Sequence, residues 1–347
     1  MAKQEKSSGW KSVTSVFSEA PKGVFSRVYL FTGEEKFLID KAIKVLKDNV
    51  ISPGAENVDY YLKDASSSEV TLDDLQSLVG TPPFISKRRM TVIRNSGFWA
   101  NRAPSTAKDQ EKWKSVIQSV PEFAIVLFIE EKVDKRKKAL VDAVSSVGSL
   151  IEVNLQNEDV LKTWILQRCG KYNISMGNDC ISSLISRVNS SMRSIDNEMQ
   201  KIILYCEYTK TTRVTMELLD KLCVPDVHAS VFQMTDAIGQ RKPGRALEIF
   251  KSLIILKEPI AKIRLMLARH IRHLICAKEL NDAGMIASRL KVQPFVARNL
   301  VSQAKGFSIE QLERIYNLCF ESDQWVKNGR MDEQLSMEVL LTASGKI

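Results

Sequence analysis

Across residues 27–153, short apolar runs alternate with stretches of helical periodicity, and this alternation limits the fold more than any other feature of the chain. Residues 27–31 (RVYLF), 58–62, 89–94, 123–129 and 150–153 read as five strands. Between them, apolar residues recur at helical spacing. Leu38, Ala42, Val45 and Leu46 share one face, then Leu72, Leu75 and Val79, then Trp113, Val116, Ile117 and Val120, and a lysine-rich helix is expected over 134–144. Parallel strands need crossover helices, so the pattern implies a parallel sheet covered on both faces, forming a domain over residues 1–155. Residues 1–26 are polar and Ser-rich, with Trp10, Val13 and Phe17 at helical spacing, and read as a lead-in helix and loop.

From residue 157 the period is helical throughout, and no further strand is expected. Val160, Leu161, Trp164 and Ile165 mark one helix; Ile181, Leu184, Ile185 and Val188 a second; Ile195, Met199, Ile202, Ile203 and Cys206 a third. This small helical unit, residues 156–224, ends near Cys223, and the break at Val224-Pro225-Asp226 opens a helical bundle over 225–347.

Pro82 and Pro83 stop the helix that carries Leu72, Leu75 and Val79. Phe84 and Ile85 then fall on a turn outside any regular element, ahead of Ser86, Lys87, Arg88 and Arg89 and the strand that follows. An apolar pair on a proline-set turn is either tucked into its own domain or presented to a partner as an anchor. The sequence leaves both readings open.

A strand, a glycine turn and a helix open a nucleotide-binding type of α/β fold, and Gly33 is where its phosphate loop would begin. Counted from Gly33, the pattern GxxxxGK[ST] needs Gly, Lys and Ser or Thr at the positions held by Leu38, Ile39 and Asp40. Side chains would fill the cradle, and Asp40 would repel phosphate. The third strand ends in Arg94 and Asn95 instead of the acid that holds magnesium through water. Glu130 and Glu131 at the tip of the fourth strand could resemble a metal site, but without a phosphate loop a solvated strand end is the expected reading. His270 and His273, with Cys276 on the same helix, fall short of a zinc ligand set, and an exposed basic helix with Lys262, Arg264, Arg269, Arg272 and Lys278 is expected. No catalytic residue, cofactor or metal is expected.

The 50 Lys and Arg against 41 Asp and Glu give a net charge of +9, which suits a nucleic-acid partner and equally a merely basic surface. The basic stretch with Lys135, Arg136 and Lys137 is ambiguous in the same way. Six scattered cysteines, none in a CxxC pair, read as reduced thiols of a cytosolic protein. No apolar run reaches the roughly 20 residues that span a bilayer, and no signal peptide is evident, so the cytoplasm is the expected location.

Four stretches carry a family resemblance: YLFTGEEKFLIDKAI from Tyr29, PPFISKRRMTVIRN from Pro82, EEKVDKRKKAL from Glu130 and VFQMTDAIGQRKPGRALEIF from Val231. In matching order along nearly the whole chain from Arg27, they resemble the delta subunit of the bacterial DNA polymerase III clamp loader. The resemblance implies a non-catalytic AAA+ relative with a RecA-like platform, a helical lid and a C-terminal collar that packs with other clamp-loader subunits. It implies that the platform binds and opens the ring-shaped sliding clamp, so that the ring can be loaded on primed DNA, while neighbouring subunits hydrolyse nucleotide. The family's two clamp-binding apolar residues fall at Pro83 and Phe84, with Ile85 as a helper; Pro83 departs from the bulkier aliphatic residue expected there. Lys87, Arg88, Arg89, Lys135, Arg136 and Lys137 are the candidate DNA or subunit contacts. Two rivals stand beside this reading. An independent nucleic-acid-binding ATPase is opposed by the phosphate-loop count, and an AAA+-derived scaffold could use the 82–89 loop for another replication or repair protein.

Overall fold

The computed structural model describes residues 9–66, 70–99, 106–134, 138–188, 190–223, 227–292 and 294–346. The chain divides into two compact units, 1–155 and 156–347. The first is built from β1 (Trp10–Ser12), α1 (Thr14–Glu19), β2 (Val28–Thr32), α2 (Lys36–Val50), α3 (Glu56–Asp59), β3 (Tyr60–Asp64), α4 (Leu72–Gly80), β4 (Arg89–Arg94), α5 (Ala107–Gln118), β5 (Ala124–Glu130), α6 (Lys138–Val147) and β6 (Gly148–Glu152). Its six strands pair in the order β1-β6-β2-β5-β4-β3, every pair parallel.

Central strands β2 and β5 are buried at every residue, which is why they read as unbroken apolar runs and not as alternating ones. On one face Val28, Leu30, Ile93, Val126 and Phe128 pack with Leu75 and Val79 of α4, Trp113 and Ile117 of α5, and Leu140 and Val144 of α6. The intervening residues Tyr29, Phe31, Met90, Val92 and Leu127 are also buried and point to the opposite face, where α2 contacts β4.

Three details of this unit differ from the sequence reading. Trp10 begins an edge strand paired with Leu150 instead of a helix, because three residues can gain ladder bonds along β6 only once the sheet exists. The helix that follows covers just Thr14–Glu19, burying Val16. The second strand begins at Tyr60, since residues 56–59 form a helical turn that removes Asp59 from the ladder.

The second unit comprises α7 (Glu158–Lys171), β7 (Ser175–Met176), α8 (Asn178–Arg187), α9 (Met192–Thr209), β8 (Arg213–Val214), α10 (Met216–Leu222), α11 (Val227–Gly239), α12 (Pro243–Ile255), α13 (Ile260–Leu280), α14 (Ala283–Leu290), α15 (Pro294–Ala304), α16 (Ile309–Lys327) and α17 (Glu333–Ser344). Strands β7 and β8 pair in parallel, contrary to the all-helical expectation; two residues each are too few to imprint an alternation on the sequence. From α11 onward the helices pack around one apolar core, with Ile263, Leu267, Ile271 and Leu274 of α13 at its centre.

Arg264 was expected on an exposed basic face of that helix. It is buried instead, with its guanidinium 3.7 Å from Asp323, 3.8 Å from Glu333 and 3.3 Å from the Ser322 carbonyl oxygen. Burial of an arginine is tolerated because these acceptors converge on it. Among the described residues, no helix is long and apolar enough to cross a membrane.

Candidate functional site

Strands β2 to β6 run parallel, so the loop leading into β4 and the turn leaving β2 lie at opposite edges of the sheet. At the exit edge, Gly33 has a φ of +130°, and a Cβ there would lie 2.2 Å from the Val153 carbonyl oxygen. Close backbone approach to the end of β6 is therefore reason enough for the glycine. The Glu35 amide donates to that same carbonyl at 3.1 Å, and the Glu35 carboxylate accepts from the Phe37 amide at the start of α2, where a nucleotide-binding fold would present its amides to phosphate. Leu38 and Ile39 point into the core. Asp40 pairs with Arg94 at 2.7 Å, so the two departures from the nucleotide-binding pattern satisfy each other. Gly33→Ala is expected to lower unfolding free energy by at least about 1–3 kcal/mol, measured by urea titration, because both the backbone angle and the Val153 carbonyl oppose a side chain.

The acids at the end of β5 do not form the solvated pair expected from sequence. Glu131 is exposed and bonds Lys36 at 2.8 Å, whereas Glu130 is buried, accepting the Ser96 hydroxyl and the Gly97 amide. The two carboxylates thus face different surroundings, and Glu130 fixes the loop after β4. No cluster of three or more metal-ligating side chains occurs among the described residues. His270 Nε2 lies 2.7 Å from Gln303 Oε1 and its ring meets Phe232 edge-on. His273 is half-buried, and burial together with Arg269 and Arg272 pushes its pKa down.

The entry edge is arranged differently. Phe84 is 83% exposed and Ile85 56%, while Pro83 is half-buried. Of the two readings of this apolar pair, presentation to solvent is the one the fold adopts. Beneath the loop lies Asp59, fully buried at the end of α3. Its carboxylate accepts three successive backbone amides, those of Phe84 at 2.5 Å, Ile85 at 2.8 Å and Ser86 at 2.5 Å. The Ser86 hydroxyl in turn accepts the Ser52 amide at 3.0 Å, tying the loop to the end of α2. Burial raises the pKa of Asp59, but the amides of Phe84, Ser86 and Ile85 outweigh it and hold the carboxyl down at about 2. The backbone that carries Phe84 is thereby fixed while its ring stays free. Sequence reasoning missed Asp59. The available signal was an acid inside the apolar run Val58–Leu62, where a carboxylate must find donors.

Lys87 is exposed, and Arg88 lies over the Phe25 ring at 5.2 Å. Arg89 is half-buried, its Nε enclosed without a hydrogen-bond partner, and its amide bonds the Phe123 carbonyl as β4 begins. Lys135, Arg136 and Lys137 lie outside the described residues.

Strand order β6-β2-β5-β4-β3 with crossover helices, followed by a helical unit and a helical bundle, defines an AAA+-like, RecA-type platform with accessory helical regions. The family model for the DNA polymerase III delta subunit matches residues 29–154, and that for the C-terminal domain of the same subunit matches residues 228–344. The chain belongs to the DNA polymerase III delta subunit family. It is 25% identical over 337 residues to DNA polymerase III subunit delta of Bacillus subtilis, covering 95% of this chain and 96% of that protein. The solved structure of the Bacillus subtilis DNA clamp loader delta protein has the same fold, with a TM-score of 0.77 at 24% identity over 96% of this chain and 100% of that one.

Proposed function

We propose that this chain binds the ring-shaped sliding clamp through the 82–89 loop and favours its opened form during loading onto primed DNA. The observation that carries the reading is the exposure of Phe84 on a backbone anchored by a buried carboxylate, which is how a rigid apolar anchor is offered to a pocket. Phe84 is the principal contact, flanked by Pro83 and Ile85. Clamp opening then needs no bond chemistry in this subunit: binding shifts the closed–open equilibrium by the difference in its affinity for the two forms.

Residues 1–155 serve as the clamp-binding platform, 156–224 as the lid and 225–347 as the collar that joins other clamp-loader subunits, with Lys87 and Arg88 available for DNA or neighbouring chains. Glu35, Leu38 and Ile39 occupy the place of a phosphate cradle, so nucleotide hydrolysis falls to other subunits in the cytoplasm. The purified chain is expected to hydrolyse no ATP above background in a phosphate-release assay. Titration of the sliding clamp of the same organism tests the main proposal: saturable binding supports it, and absence of binding would leave a scaffold whose partner is another replication or repair protein.

A further inference from the structure

Arg88 follows Phe84 by four residues, and its side chain engages a ring instead of an acid. It is half-buried, with its guanidinium over Phe25 at 5.2 Å, and among the described residues that side chain makes no hydrogen bond and no ion pair. Both members of the stack are held in place. The Ser86 amide donates to Asp59 at 2.5 Å and the Arg89 amide to the Phe123 carbonyl oxygen at 2.7 Å, which fixes the backbone on either side of Arg88. Beside Phe25, the Ser26 amide donates to the Tyr29 hydroxyl at 2.8 Å, and the Ser26 hydroxyl meets that of Ser149 at 2.9 Å. A guanidinium stacked on a fixed ring has given up much of its rotamer freedom before a partner arrives, while its N–H fork remains available to an acceptor.

The surroundings narrow the choice of acceptor. Arg88 and Phe25 line a cleft of about 480 Å³ at the entry edge of the sheet, with Arg27 and Glu122 as its other charged residues. Arg27 is already engaged, donating to the Val120 carbonyl oxygen at 3.0 Å, and Glu122 is exposed. Val24, next to Phe25, is exposed as well, so the free guanidinium stands on the same edge as the exposed apolar side chains Val24, Phe84 and Ile85. Arginine with aromatic and apolar neighbours is the composition of a protein interface, whereas a surface that tracks phosphates relies on several cations in series. Distance points the same way. Four residues span at most about 14 Å, and a standard interface covers roughly 800 Å² per partner, a disc of about 16 Å radius. A protein centred on Phe84 therefore reaches Arg88.

We propose, on the reading that the 82–89 loop meets the sliding clamp, that Arg88 is a second anchor of that face and takes a carboxylate of the clamp through paired N–H···O bonds. Phe25 is its positioning residue. The carboxylate satisfies the fork as the interface closes over it, and the ring keeps the fork aimed.

The test is the kinetics of binding of the full chain to the sliding clamp of the same organism, with circular dichroism confirming that each variant is folded. Arg88→Ala should weaken binding at least about ten-fold, chiefly through faster dissociation. Arg88→Lys should lose at least about five-fold, because an ammonium keeps the charge but presents no planar fork. Lys87→Ala, which removes a neighbouring exposed charge, should cost less than about three-fold. Phe25→Leu should weaken binding in the wild type and add nothing in an Arg88→Ala background. Wild-type affinity in Arg88→Ala or Arg88→Lys, or equal losses in Lys87→Ala and Arg88→Ala, would overturn the proposal. Unchanged clamp binding by Arg88→Ala together with weaker binding of a primed oligonucleotide duplex would assign the residue to DNA instead. If Phe84→Ala loses clamp binding and Arg88→Ala does not, this second anchor alone is refuted; if the wild type does not bind the clamp, the anchor and the clamp-binding role fall together.

Discussion

Phe84→Ala is expected to weaken clamp binding by at least about thirty-fold while leaving the melting temperature unchanged. The ring is 83% exposed, so truncating it removes almost none of the domain's own packing. A buried aromatic anchor at an interface is worth at least about 2 kcal/mol, roughly thirty-fold in Kd, and the surrounding contacts do not replace it. Titration calorimetry beside circular dichroism measures both quantities. Unchanged affinity in the variant would remove Phe84 from the interface.

Asp59→Asn should weaken the same binding without touching Phe84. An asparagine presents a single acceptor oxygen and places an NH2 group against a backbone N–H, so the three amides of Phe84, Ile85 and Ser86 cannot all keep their partner. The loop then samples conformations that must be reordered on binding, an expected loss of about ten-fold in Kd. In a Phe84→Ala background the second change should add nothing, because Asp59 acts through the ring it positions. Additive losses would assign Asp59 a separate role.

The same carboxylate links the loop to pH. Its pKa is about 2 in the folded chain against an ordinary value of 3.8, so it binds protons less readily folded than unfolded. The stability it supplies is therefore present above pH 3.8 and is lost as pH falls through about 2. After allowance for screening beside an exposed loop, the contribution is of the order of 1–2 kcal/mol. Acid unfolding of Asp59→Asn should lack this component. Hydrogen exchange at the amides of residues 84–86 should be faster than in the wild type at neutral pH.

Much of the platform was legible because a buried parallel strand must be apolar throughout: residues 89–94 match β4, and β2 and β5 fall within one residue of their expected starts. Proline chemistry at Pro82 and Pro83 likewise placed the loop, and spacing from Gly33 already argued against a phosphate cradle. Edge strand β1 and the β7–β8 pair left no readable signal, since their pairing partners lie about 140 and about 38 residues away in the chain and each strand is only two or three residues long.

What the sequence determined by itself was the alternation of elements, the change to helices after residue 157 and the family to which the chain belongs. Tertiary structure alone decided whether Phe84 is exposed, that Asp59 holds its backbone, that Arg264 is buried and that Glu130 and Glu131 part company. The difference is physical. Hydrophobic periodicity is a local property of the chain, fixed within a few residues, whereas the environment of a charged or exposed side chain depends on donors and acceptors that folding brings together, here Asp59 with residues 84–86 and Arg264 with Asp323 and Glu333.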